Sequence, residues 1–187
     1  QIGVKGIAVM AETPALKNVV SMALKGNNLG DEGVRVITQS NTFKNLEFLS
    51  LWDNGISPEG IKMLARGANF NKLKELNLMQ NNVGDQGVVL LVDSSNLSNL
   101  TSLDLSVNKI GDKGAIAIAT SPYLANLKKL DLFNNQISLK GLRAILQSKT
   151  LVSLKEIDFV KNNVDDESAA KLWESHMNSC RTLKKSS

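Results

Sequence analysis

The chain has 187 residues, 42% of them hydrophobic, and carries 22 basic against 18 acidic side chains for a net charge of +4. That suffices for one domain-sized core, while the scattered, mild charge gives no basic stripe of the kind nucleic acid requires. The longest apolar run, Val88-Val89-Leu90-Leu91-Val92, is far too short to span a bilayer, and the single cysteine, Cys180, excludes an internal disulfide.

From the N-terminus, residues 1–18 read as a helix followed by the turn Thr13-Pro14-Ala15-Leu16, with no strand in front of them. Residue 19 begins a frame that then repeats every 27 residues. Its clearest copy is Leu46, Leu49, Leu51, Asn54, Ile56; the next are Leu73, Leu76, Leu78, Asn81, Val83 and Leu100, Leu103, Leu105, Asn108, Ile110. Two more follow at Leu127, Leu130, Leu132, Asn135, Ile137 and Leu154, Ile157, Phe159, Asn162, Val164, and a softer one precedes them at Val19, Met22, Leu24, Asn27, Leu29. Within each copy, leucines at repeat positions 1, 4 and 6 fit a short strand with an inward apolar face. The Asn at position 9 offers both donors and an acceptor to the turn after the strand, and predicts a ladder running through the stack.

A glycine column follows (Gly6, Gly33, Gly60, Gly87, Gly114, Gly141), with apolar pairs at helical spacing such as Val34/Ile37 and Leu142/Ile145. Glycine is expected to let the helix approach the strand layer. Ser57-Pro58-Glu59 supplies a helix start, and Asp85 and Asp112 are expected to cap the helices they begin. The column Leu16, Phe43, Phe70, Leu97, Leu124, Leu151 closes each coil. Beyond residue 180, Arg181 and Lys184 stand where leucines would continue the pattern, so residues 181–187 read as a polar tail.

This repeat resembles the leucine-rich repeats of the ribonuclease-inhibitor-like class, which includes the sensor arms of NLR receptors, Ran GTPase-activating proteins and tropomodulin. The run Ser121-Pro122-Tyr123-Leu124-Ala125-Asn126-Leu127-Lys128-Lys129-Leu130 is similar to bacterial repeats, among them those of pathogen effectors. The resemblance implies an α/β fold: a right-handed horseshoe solenoid with a parallel concave β-sheet and one helix per repeat on the convex side. Residues 1–187 form one domain, with a partial repeat over 1–18 and six repeats over 19–180. The opening in mid-repeat predicts a fragment of a longer protein. Extracellular members of the family usually carry cysteine-rich caps, absent here. A cytoplasmic location, or delivery into a host cell, is therefore expected.

Positions 3, 5 and 7 of each strand point to the concave face, and some residues there exceed what a scaffold demands. Phe48, Trp52, Met79 and Phe133 are candidate anchors for a protein partner. Asp104, Asp131 and Asp158 form an acidic column that could steer a basic segment. Lys128, Lys129, Lys155 and Lys161 are expected close enough to offset part of its repulsion. No cofactor, metal, membrane, nucleic acid or small-molecule substrate is expected. His176 and Cys180, four apart on the last helix, lack a third catalytic group. The expectation is a non-catalytic recognition scaffold. The alternative is the substrate-selecting or regulatory arm of a larger enzyme whose catalytic domain lies elsewhere.

Overall fold

The computed structural model describes residues 1–174 together with Thr182 and Leu183. His176 and Cys180 lie outside the described residues. Helices and strands alternate along the chain: α1 (Gly3–Glu12), β1 (Ser21–Ala23), α2 (Gly30–Gln39), β2 (Phe48–Ser50), α3 (Pro58–Arg66), β3 (Glu75–Asn77) and α4 (Gly84–Val92). Then come β4 (Ser102–Asp104), α5 (Asp112–Thr120), β5 (Lys129–Asp131), α6 (Leu139–Leu146), β6 (Glu156–Asp158), α7 (Asp166–Glu174) and β7 (Thr182–Leu183). The strands form one parallel sheet in strict sequence order. The fold is the expected solenoid: strands packed about 4.8 Å apart on one side and wider helices on the other bend the stack with the sheet inside.

Register follows the period. Phe48 pairs with Ser21 and with Glu75, and the same 27-residue step holds through β6. Leu46, Leu49 and Leu51 are fully buried, as are their equivalents Leu73, Leu78, Leu127 and Leu132. Behind them pack the helix pairs Ile61/Leu64 and Val88/Leu91 and the closing residues Phe43, Phe70 and Leu97. Several of these closing residues end short 3-10 turns, such as Asn41–Phe43 and Ala68–Phe70, that lead into the next strand.

The asparagine ladder is present. Asn135 Oδ1 accepts the N–H groups of Asn108 and Ile110, both at 3.0 Å, and its Nδ2 donates to the carbonyls of Leu105 and Leu132, both at 3.0 Å. Asn81 makes the same set toward Asn54, Ile56, Leu51 and Leu78. Each amide thus closes its own turn and ties it to the preceding coil, where water cannot reach. The first coil joins through Ile2 N–H, which donates to Asn27 Oδ1 at 2.7 Å.

Three expectations need correction. Asp85 and Asp112 do not cap the helices they begin. Asp112 accepts the N–H groups of Ser138 and Gly141, at 2.8 and 3.0 Å, and the Ser138 hydroxyl, so it serves the helix of the next coil. Asp85 likewise receives the N–H groups of Gly111 and Gly114, and Asp31 that of Ser57. Caps within the same helix come from Ser57, Ser138 and Asp165. Gly60, Gly114 and Gly141 make room for these carboxylates: a Cβ on Gly141 would stand 2.6 Å from Asp112 Oδ1 and 2.9 Å from Ala115 Cβ, whereas at Gly6, Gly33 and Gly87 the nearest side chain is the apolar residue four positions earlier. Finally, Thr182 and Leu183, placed by sequence in a polar tail, extend the sheet by pairing with Glu156 and Ile157. That step is one residue shorter than the period, which brings Leu183 instead of Lys184 beside Ile157.

Candidate binding face of the sheet

Three rows of side chains cross the open face of the sheet. The first runs Ser21, Phe48, Glu75, Ser102, Lys129, Glu156, and the second Ala23, Ser50, Asn77, Asp104, Asp131, Asp158. The third stands one alternate residue further on: Lys25, Trp52, Met79, Ser106, Phe133, Val160. A groove of about 240 Å³ lies over the first two rows, and Phe48, Asp104, Asp131 and Asp158 all line it. Trp52, Met79 and Phe133 do not line the groove; they stand in the third row beside it. The candidate residues share one face but fall into two strips.

The aromatic candidates are less bare than the sequence implied. Phe48, Trp52, Met79 and Phe133 are all half-buried. Lys25 Nζ stands 3.3 Å from the centroid of the Trp52 ring, and Lys161 Nζ 5.2 Å from that of Phe133. Both are cation–π contacts supplied by the neighbouring coil. Trp52 also donates from Nε1 to Gln80 Oε1 at 3.4 Å.

The second row has a backbone task. Asn77 Oδ1 accepts the Met79 N–H at 2.9 Å, Asp104 Oδ1 that of Ser106 at 2.9 Å, Asp131 Oδ1 that of Phe133 at 2.9 Å, and Asp158 Oδ1 that of Val160 at 3.0 Å. A short acceptor at position 5 therefore bridges to the amide two residues on, where the strand gives way to the turn. Among the described residues, the expected lysine compensation does not take the form of ion pairs with this column. Lys129 pairs with Glu156 at 3.3 Å and Lys161 covers Phe133. Long side chains reach sideways to the best local partner, and for these two that partner is Glu156 or a ring.

The sequence reading passed over Ser106. It is 2% exposed, and its Oγ contacts Asp104 Oδ1 at 2.6 Å and Asp131 Oδ1 at 2.7 Å. The available signal was a lone small hydroxyl in a row otherwise made of Lys25, Trp52, Met79, Phe133 and Val160. Burial raises the Asp104 carboxyl above its ordinary value; hydrogen bonds from Ser106 and Asn77 act against that, and the Asp131 charge adds to it.

A second groove, about 540 Å³, follows the edge where the strands begin, lined by Lys72, Lys74, Lys128, Asn99 and Asn126 among others. Lys74 is paired there with Glu47 at 2.8 Å and Lys72 donates to Asn45 at 2.7 Å. Among the described residues no cluster of potential metal ligands occurs, and no helix is long and apolar enough to cross a membrane.

The fold is similar to that of internalin C2 from Listeria monocytogenes, with a TM-score of 0.60, 21% identity, and coverage of 97% of this chain and 76% of that one. A second Listeria internalin gives 0.56 and 21%, covering 96% and 50%. A leucine-rich repeat protein of Leptospira interrogans gives 0.54 and 21%; the chain spans 38% of that protein's length, with 91% of its own residues covered. At this identity the likeness is one of fold. No curated protein matches the chain. The Leucine Rich repeat family model matches residues 16–37, 44–65, 71–92, 96–119 and 123–146. These five segments make up more than half of the chain and coincide with the coils described above. The chain belongs to the leucine-rich repeat family.

Proposed function

We propose that the chain is a non-catalytic recognition scaffold that holds a segment of another protein on the concave face of its sheet. The groove over the first two rows carries this reading: Asp104, Asp131 and Asp158 line it on successive strands, with Phe48 at its wall. Asp131 and Asp158 spend Oδ1 on backbone amides, and among the described residues no hydrogen bond engages their Oδ2. Strands fixed by the asparagine ladder hold these carboxylates in place, so a basic segment would meet a surface that pays little to order itself. Trp52, Met79 and Phe133 would flank the segment on the third row.

The finer assignment to the ribonuclease-inhibitor-like class rests on the helix of eight to ten residues behind the strands in every coil. The likeness of the Ser121–Leu130 run to bacterial repeats supports an effector role, with delivery into a host cell. Crosslinking in the native cell, followed by mass spectrometry, tests the reading. Wild-type crosslinks should map to the three rows and be lost in Trp52→Ala and in Asp131→Asn/Asp158→Asn, with circular dichroism unchanged. Crosslinks confined to the helical side would overturn it.

A further inference from the structure

Ser106 Oγ lies 2.6 Å from Asp104 Oδ1 and 2.7 Å from Asp131 Oδ1, at a position 2% exposed. A hydroxyl carries one hydrogen and can donate to only one of these oxygens. The other carboxylate oxygen then faces an Oγ lone pair at hydrogen-bond distance. Were both carboxylates ionised, that contact would press two electron-rich atoms together with no hydrogen between them. Neither carboxylate is free to swing away. Asp104 Oδ1 accepts the Ser106 N–H at 2.9 Å while Asn77 Nδ2 holds its Oδ2 at 2.8 Å, and Asp131 Oδ1 accepts the Phe133 N–H at 2.9 Å.

We infer that Asp104 and Asp131 share one additional proton through the Ser106 hydroxyl, so that the middle of the concave face is a titrating acid and not two fixed charges. The hydrogens then balance: one carboxylic O–H donates to Ser106 Oγ, and the Ser106 O–H donates to the other carboxylate. Charge from the neighbouring strands points the same way. Glu75 on β3 and Asp158 on β6 add negative charge, while Lys129 on β5 is committed to Glu156 on β6 at 3.3 Å. Burial of Asp104 also favours its neutral form.

The inference deepens the recognition reading, because it makes the charge offered to a basic segment depend on pH. Its test needs no partner, so it succeeds or fails independently of that reading. Aspartate carboxyl resonances followed by NMR across an acid titration should show the pair losing its protons in two well-separated steps, the upper one above the usual carboxylate range. Asp131→Asn keeps the shape but removes the competing anion, freeing the Ser106 hydroxyl for Asp104, which should then titrate below the upper wild-type step. Asp104→Asn gives the reciprocal result for Asp131 should the first variant fail to fold. Ser106→Ala removes the bridge while leaving both carboxyls, and should draw the two steps closer together. Titration of both wild-type carboxyls in the ordinary range overturns the inference. So does an Asp104 step that stays put in Asp131→Asn, which would assign it to burial alone. A step separation unchanged in Ser106→Ala would overturn the hydroxyl's part.

Discussion

The Lys25 ammonium stands 3.3 Å from the centroid of the Trp52 ring, so the largest aromatic group of the concave face is covered by a cation from the preceding coil. Trp52 is therefore held in a defined pose before any partner arrives. In a Trp173→Phe background, where Trp52 is the only tryptophan, Lys25→Ala should increase quenching of its fluorescence by acrylamide. It should cost about 0.5–1 kcal/mol, the scale of an exposed cation–π contact. Trp52→Ala should leave the fold nearly intact yet abolish partner capture. Quenching that is the same with and without Lys25 would show that the cation does not cover the ring in solution.

The asparagine ladder predicts a gradient along the stack. Asn135→Ala would strand the buried amides of Asn108 and Ile110 and the Leu105 carbonyl, while the Leu132 carbonyl keeps Asn162 Nδ2 at 2.8 Å. An orphaned buried polar group costs roughly 1–3 kcal/mol, so the loss should reach roughly 3 kcal/mol or more. Among the described residues the Asn27 side chain serves the exposed Ile2 amide and the Lys25 carbonyl, and Asn27→Ala should cost about 1 kcal/mol. Urea unfolding of the two variants would compare them. Equal midpoints would mean that the ladder binds neighbouring coils no more tightly inside the stack than at its end.

These contrasts separate what was legible in the sequence from what was not. Leu49 and Asn54 announce themselves because each meets the same partners every 27 residues, and a repeated environment leaves a repeated residue. Asp112 is different. A carboxylate at a helix start reads alike whether it caps that helix or the one a coil later, and only the helix spacing sends it to Ser138. The rings were legible as misfits to the scaffold, but their lysine covers depend on rotamers that no period encodes. Ser106 left the weakest trace, since its role comes from two aspartates on adjacent strands. Leu183 escaped because its pairing falls one residue short of the period, which puts Leu183 and not Lys184 beside Ile157.

A strained turn offers a stabilising change. Val107 has φ +56°, in a column where Asp53, Gln80, Asn134 and Lys161 are also left-handed. The column is bent this way so that its amides can donate to the next coil, Val107 N–H to the Phe133 carbonyl at 2.9 Å. A β-branched residue is the least suited to that conformation, whereas Asn tolerates it. Val107→Asn should raise stability by about 1 kcal/mol, and Asn134→Val should lower it by a similar amount. A lower urea midpoint for Val107→Asn would mean that the valine's packing outweighs its backbone strain.

Asp112 gives the stack an acid-sensitive joint. Partial burial would raise its carboxyl, but hydrogen bonds from the Ser138 hydroxyl and the Ser138 and Gly141 amides, with the Lys140 charge, leave it below its ordinary value. A depressed value in the folded state means that the ionised carboxylate stabilises the fold. That contribution is complete above the unfolded-state value and is lost as pH falls through the folded one. Asp104, raised by burial, has the opposite sign: its stabilising share is complete in acid and fades as pH climbs through its folded value. Asp112→Asn should therefore be less stable than wild type at neutral pH, and the gap should close as pH falls below the carboxylate range. Gly141→Ala would push a methyl to 2.6 Å from Asp112 Oδ1, cost about 1–3 kcal/mol, and flatten the same pH dependence by displacing the carboxylate. Thermal unfolding from neutral to acid pH reads all three proteins. A gap between wild type and Asp112→Asn that stays constant with pH would show that the ionised carboxylate does not stabilise the joint.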